Sequence, residues 1–198
     1  MKIAEVKALL AGTPTDEQIA LLGQDERRGV QQLLEAYIKR LEVEDAERAR
    51  LKKMQVFEQK YYSEGAQYIA GIDEVGRGPL AGPLVMAAVI LPSQTFLPHL
   101  NDSKKLSAGR REALYPQILQ AALEVVVTIV SPSEIDRLNI YDATKKGMEV
   151  TLQALQLKPQ VALIDAMHLQ VPGMKIVPII HGDALSVSIA AASVVAKV

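Results

Sequence analysis

Four acidic residues stand after runs of apolar ones: Asp73 and Glu74 after 68–72, Asp165 after 161–164, and Asp183 after 176–180 by way of His181 and Gly182. Carboxylates brought side by side repel one another and raise each other's pKa unless cations are present. Their hard oxygens suit Mg²⁺ or Mn²⁺, and two such ions about 4 Å apart can activate a water and stabilise the leaving oxygen of a phosphodiester. Taken one at a time, each acid also reads as a helix N-cap or a turn residue. Asp183, between Gly182 and a small-residue helix, fits an N-cap well. Spacing alone does not make the three strands neighbours.

Between the first two apolar runs lies GIDEVGRGPLAGP, residues 71–83. Glycines there permit positive φ and close approach of a ligand to backbone N–H groups. Gly76, Gly78 and Gly82 make a loose dinucleotide fingerprint, but Pro79 and Pro83 spoil the helix that should follow, and Asp73-Glu74 would repel a pyrophosphate. No Gly-Lys-Ser/Thr ends the segment, which excludes a P-loop. Lys104 and Lys105 stand just before a predicted helix, where they could contact phosphate. Ser186 and Ser188 could bond a phosphate at a helix start or simply pack, and Lys197 reads equally as a surface charge. His168 and His181 read as structural residues, because hard-metal sites do not favour imidazole, and Met148, Met167 and Met174 as packing.

The elements that must carry these residues fall into two regions. Residues 1–66 hold 23 charged side chains and one proline, while 67–198 hold 22 and nine. In the first region Thr15, followed by Asp16 and Glu17, predicts a helix start. Val30, Leu33, Leu34, Tyr37, Ile38 and Leu41 recur at helical spacing, so two or three helices with a thin apolar stripe are expected. In the second region 68–72, 84–91, 125–130, 161–164 and 176–180 read as strands. Helices are predicted over 107–123, over 132–157 with a break near Asn139, and over 185–198. This alternation predicts an α/β domain, a mixed sheet flanked by helices.

The absence of cysteine excludes disulfide scaffolds and thiolate-bound zinc or iron–sulfur centres. Apolar runs such as 84–91 and 189–196 fall far short of the roughly 18–20 residues that span a bilayer. Glu5 and Lys7 stand where a signal peptide would be apolar, so a cytoplasmic protein with no membrane partner is expected. With 22 basic against 23 acidic residues, the balance taken alone speaks against a nucleic-acid partner.

Four stretches nevertheless resemble the bacterial ribonuclease HII family: GIDEVGRGPLAGPLV from Gly71, NDSKKLS from Asn101, IDAMHL from Ile164 and GDALSVSIAAASVVAKV from Gly182, with LNIYDATKKGM from Leu138. The resemblance covers about two-thirds of the chain. It implies a ribonuclease H-like fold, with residues 67–198 as the catalytic domain and 1–66 as a helical extension. It also implies a two-metal site holding Mg²⁺ or Mn²⁺ on Asp73, Glu74, Asp165 and Asp183. Gly76, Arg77 and Gly78 match the segment that reads the ribose 2′-hydroxyl, and Lys104, Lys105 and Ser186 are the accompanying candidates for substrate contact. The implied reaction is hydrolysis of the RNA strand of RNA/DNA hybrids, and cleavage on the 5′ side of ribonucleotides embedded in duplex DNA, leaving 3′-hydroxyl and 5′-phosphate ends. Family members continue past the position of Val198, so the sequence resembles a C-terminally shortened member. The alternative expectation is therefore a non-catalytic or weakly active hybrid-binding module. A monomer is expected. The charge objection also weakens, because two divalent cations would take 67–198 from 11 bases against 11 acids to roughly +4.

Overall fold

The computed structural model describes residues 1–78 and 82–198. Pro79, Leu80 and Ala81 of the glycine segment lie outside the described residues. The chain divides into two compact units, Met1–Ala49 and Arg50–Val198. The packing boundary therefore differs from the compositional one near residue 66: the charged residues 50–63 belong with the larger unit.

Four helices precede the first strand, α1 (Ile3–Ala11), α2 (Asp16–Gly23), α3 (Arg28–Met54) and α4 (Val56–Ser63), rather than two or three. The expected start at Thr15 is a reciprocal cap: its hydroxyl accepts the Gln18 N–H at 3.3 Å while Gln18 Oε1 accepts the Thr15 N–H at 2.9 Å. The small unit buries Val6, Leu10, Leu22, Val30, Leu34 and Tyr37. Ile38 and Leu41 are exposed, because the part of the predicted stripe that packs into this core is Val30, Leu33, Leu34 and Tyr37.

The larger unit is built on β1 (Ile69–Val75), β2 (Leu84–Ile90), β3 (Glu124–Val130), β4 (Val161–Asp165) and β5 (Lys175–Ile179), in the order β3-β2-β1-β4-β5. β2 is antiparallel to β1 and β3, whereas β1, β4 and β5 run parallel. The connecting helices are α5 (Ala108–Ala121), α6 (Pro132–Leu138), α7 (Ile140–Ala154), α8 (Gly182–Leu185) and α9 (Val187–Lys197). The break between α6 and α7 falls at Asn139, whose φ of 69° ends one helix while its side chain accepts the first N–H groups of the next. Strand alternation sorts the core. Ala70, Ile72, Met86, Ala88 and Ile164 pack with Met148 and Leu152 of α7. Ala87 and Val89 on the opposite face pack with α9, α5, Leu51 and Met54. Tyr61 of α4 joins Ile69, Leu163 and Ile189 on the same α9 side. Met148 and Met167 are buried as packing residues. Among the described residues no helix is long and apolar enough to cross a membrane.

Candidate active site

The parallel register decides what sequence spacing could not. Ile72 of β1 pairs with Ile164 of β4, so Asp73 and Asp165 follow as neighbours at the carboxyl ends of adjacent strands, which lie roughly 4.8 Å apart in a sheet. Both occupy the alternation positions that face α9. β5 lies beside β4, with Asp165 opposite Ile179, and the chain then turns into α8, which carries Asp183. The turn is tight and tied to the site. Ala166 (φ 49°) and His181 (φ 59°) adopt the left-handed region at the ends of β4 and β5, an arrangement that costs energy for residues with a Cβ and clusters at functional sites. The Gly182 N–H donates to Asp165 Oδ1 at 3.0 Å, joining the two strand ends. The N-cap reading for Asp183 does not hold: His181 occupies the N-cap position of α8 and the Ser186 side chain caps α9, leaving Asp183 in the first turn of α8.

Asp73 and Asp183 are buried, and β1 itself is held close to α9. A Cβ on Gly71 would come within 2.1 Å of the Ser188 carbonyl carbon, so only glycine allows α9 to approach the strand this closely. Burial pushes the Asp73 carboxyl up to about 7, with repulsion from Glu74 and Asp165 adding to it and a hydrogen bond with Ser193 working against it. Burial also raises Glu74, which Arg77 partly offsets through a 3.3 Å contact from its guanidinium to Glu74 Oε1. Asp183 is raised by burial and by Asp102, which shares a hydrogen bond with it. Lys104 Nζ stands 3.3 Å from Asp183 Oδ2. For Lys104 the downward pull of burial is outweighed by Asp183 and its neighbours, which hold the ammonium above its ordinary value.

Three contributors carried no individual role in the sequence reading. Asp102 lies within NDSKKLS and accepts the Lys104 N–H at 2.9 Å, starting the short 3₁₀ turn Ser103–Lys105. Its position ahead of Ser-Lys-Lys is the cap signal that could have revealed it. Ser193, one of the small residues of α9, hydrogen-bonds Ser103 and Asp73. Glu58 of α4 is buried against the α8–α9 joint. Among the expected substrate contacts, Lys104 reaches the acids, but Lys105 is turned to Asp102 at 4.0 Å. Ser186 is fully buried with its hydroxyl donating to Glu58 Oε1 at 2.6 Å and accepting the Ile189 N–H at 3.2 Å, so it presents no surface to a phosphate. Gly76 has φ 105°, and a Cβ there would meet the Pro83 carbonyl oxygen at 2.3 Å. Gly78 is exposed with open space around it.

Among the described residues no group of three or more acid or histidine side chains is placed so as to hold a metal ion. Arg77 and Lys104 instead neutralise Glu74 and Asp183. In kind, the donor set fits a hard divalent ion: all oxygen, gathered at the carboxyl ends of adjacent strands, and including a carboxyl that burial first, and neighbouring negative charge second, push up to about 7.

Residues 70–198 match the family model described as Ribonuclease HII, and residues 2–62 match Ribonuclease HII N-terminal domain. The ribonuclease HII of Enterococcus faecalis is 50% identical over 97% of this chain and 75% of its own length. That of Bacillus cereus strain Q1 is 49% identical over 92% and 71%. Among solved structures, ribonuclease H2 from Pyrococcus horikoshii superposes with a TM-score of 0.60 at 27% identity, covering 66% of this chain and 71% of that one.

Proposed function

The chain belongs to the ribonuclease HII family, and on that premise we propose that it is a metal-dependent endoribonuclease. It cleaves the RNA strand of RNA/DNA hybrids and cuts 5′ of ribonucleotides embedded in duplex DNA, leaving 3′-hydroxyl and 5′-phosphate ends. The observation that carries this reading is the pairing of β1 with β4, which sets Asp73 beside Asp165 at the carboxyl ends of two adjacent strands, with Asp183 following from β5 in α8. Asp73, Glu74, Asp165 and Asp183 would hold two Mg²⁺ or Mn²⁺ ions, which when bound supply an activated water and neutralise charge on the leaving oxygen.

The chain's own groups bind and orient. Arg77, half-exposed beside Glu74, and Lys104, exposed beside Asp183, offer cations to phosphates on either side of the acids. The backbone of Gly76, Arg77 and Gly78 meets the ribose 2′-hydroxyl, the group that distinguishes RNA from DNA. Ser186 acts from beneath the site, as a brace for the α8–α9 joint, and Lys105, beside Asp102, serves the 3₁₀ turn that carries Lys104. We place the protein in the cytoplasm as a monomer.

A second reading, a weakly active or non-catalytic hybrid-binding module, draws support from the absence of a closed metal-binding group among the described residues. One assay separates the two: a duplex carrying a single ribonucleotide, incubated with Mg²⁺, Mn²⁺ or EDTA. Metal-dependent cleavage on the 5′ side of the ribonucleotide is the expected result. Binding without any cut under either metal would favour the module.

A further inference from the structure

Glu58, like Asp102, is a buried acid outside the strand-end cluster whose hydrogen bonds reach the site's supports. Its Oε1 accepts from Ser186 Oγ at 2.6 Å and from the Ser188 N–H at 3.0 Å. Its Oε2, among the described residues, is a buried side-chain atom without a hydrogen-bond partner. A buried carboxylate that leaves an oxygen unpaired costs stability, so surface chemistry does not account for its position. α4 is held in place around it: Tyr62, one turn on, donates its hydroxyl to the Leu91 carbonyl at 3.1 Å, and Tyr61 packs on Ile69 and Ile189.

What Glu58 holds is the joint between two helices. Ser186 ends α8 through its N–H to the Gly182 carbonyl at 2.8 Å and begins α9 by capping Ile189. α8 carries Asp183, and α9 carries Ser193 to Asp73. Fixing Ser186 and Ser188 from one carboxylate oxygen thus sets the end of α8, which carries Asp183, and the start of α9, whose Ser193 bonds Asp73. We propose that Glu58 is a positioning residue for the candidate active site, through which α4 orients the α8–α9 joint and hence Asp183 and Asp73. This rests on the functional reading above and assigns a task to a segment that composition alone grouped with the N-terminal extension.

The test uses the full chain with E58A, E58Q and S186A. Circular dichroism and thermal melting establish folding. Steady-state cleavage of a labelled RNA/DNA hybrid gives kcat and KM, and calorimetric titration with Mn²⁺ alone gives metal affinity. Removing the outer support of a metal site lowers metal affinity or turnover by about 10- to 100-fold. E58A is expected to lose about that much kcat and Mn²⁺ affinity with KM for the hybrid little changed. E58Q keeps an oxygen for Ser186 and Ser188 and is expected to restore most of both. A folded E58A with wild-type kcat and Mn²⁺ affinity overturns the proposal, as does a loss confined to KM. If E58A does not fold, S186A decides in its place, and unchanged kcat and Mn²⁺ affinity there overturn it. Failure of the wild-type chain to cleave hybrid or bind Mn²⁺ refutes the functional reading and this inference with it. Cleavage by wild type and E58A alike refutes this inference only.

Discussion

Replacing Asp73 by Asn is expected to abolish cleavage while making the metal-free protein more stable at alkaline pH. In the folded chain the Asp73 carboxyl titrates at about 7, against an ordinary value of 3.8. A difference of about 3 pH units at ~1.4 kcal/mol each corresponds to roughly 4 kcal/mol. The side chain is almost wholly buried, so water screens little of this. The unfolded chain releases the proton near pH 4 and the folded chain holds it until about pH 7. The penalty is therefore absent below pH 4, grows between pH 4 and 7, and is complete above. Asparagine has the same shape, can still bond Ser193 and carries no charge toward Glu74 or Asp165. The expected gain at pH 8 in EDTA is ~2–4 kcal/mol, or roughly 5–15 °C for a chain of this size. Melting curves of wild type and Asp73→Asn from pH 4 to 8 check this, with hybrid cleavage measured in parallel. Equal melting temperatures at pH 8, or a difference that does not grow with pH, would refute the picture of a buried carboxylate repelled by its neighbours.

Lys104→Ala removes the cation 3.3 Å from Asp183. It is expected to weaken hybrid binding and to flatten the slope of log affinity against log salt by about 1, as fluorescence anisotropy over a salt series would show. Gly71→Ala forces α9 off β1, since its Cβ would lie 2.1 Å from backbone. A loss of ~3 kcal/mol or more in urea unfolding is expected, and an unchanged midpoint would contradict the close approach. Chelation by EDTA is expected to stop cleavage without unfolding the chain, and re-addition of Mg²⁺ or Mn²⁺ to restore it. Cleavage that persists in EDTA counts against carboxylate-bound metal.

The strands, the helix break at Asn139 and the placing of acids at strand ends were legible in the sequence because they depend on local pattern. β-branched apolar runs mark strands, and Asn139 can both adopt positive φ and cap the following helix. The Gly71 and Gly182 stretches that carry the family resemblance were legible for a related reason: close backbone approaches and site chemistry restrict residue type position by position. Only the tertiary structure decided which strands are neighbours, and so that Asp73 lies beside Asp165, because register depends on contacts between residues about 90 positions apart. It also decided the parts played by Asp102, Ser193, Ser186 and Glu58. A short polar side chain in a sequence can cap, contact substrate or pack, and its choice is made by the partner that burial brings to it. For Ser186 that partner is Glu58, whose surroundings in the sequence are those of a solvated helix face and whose place in the fold is among buried groups.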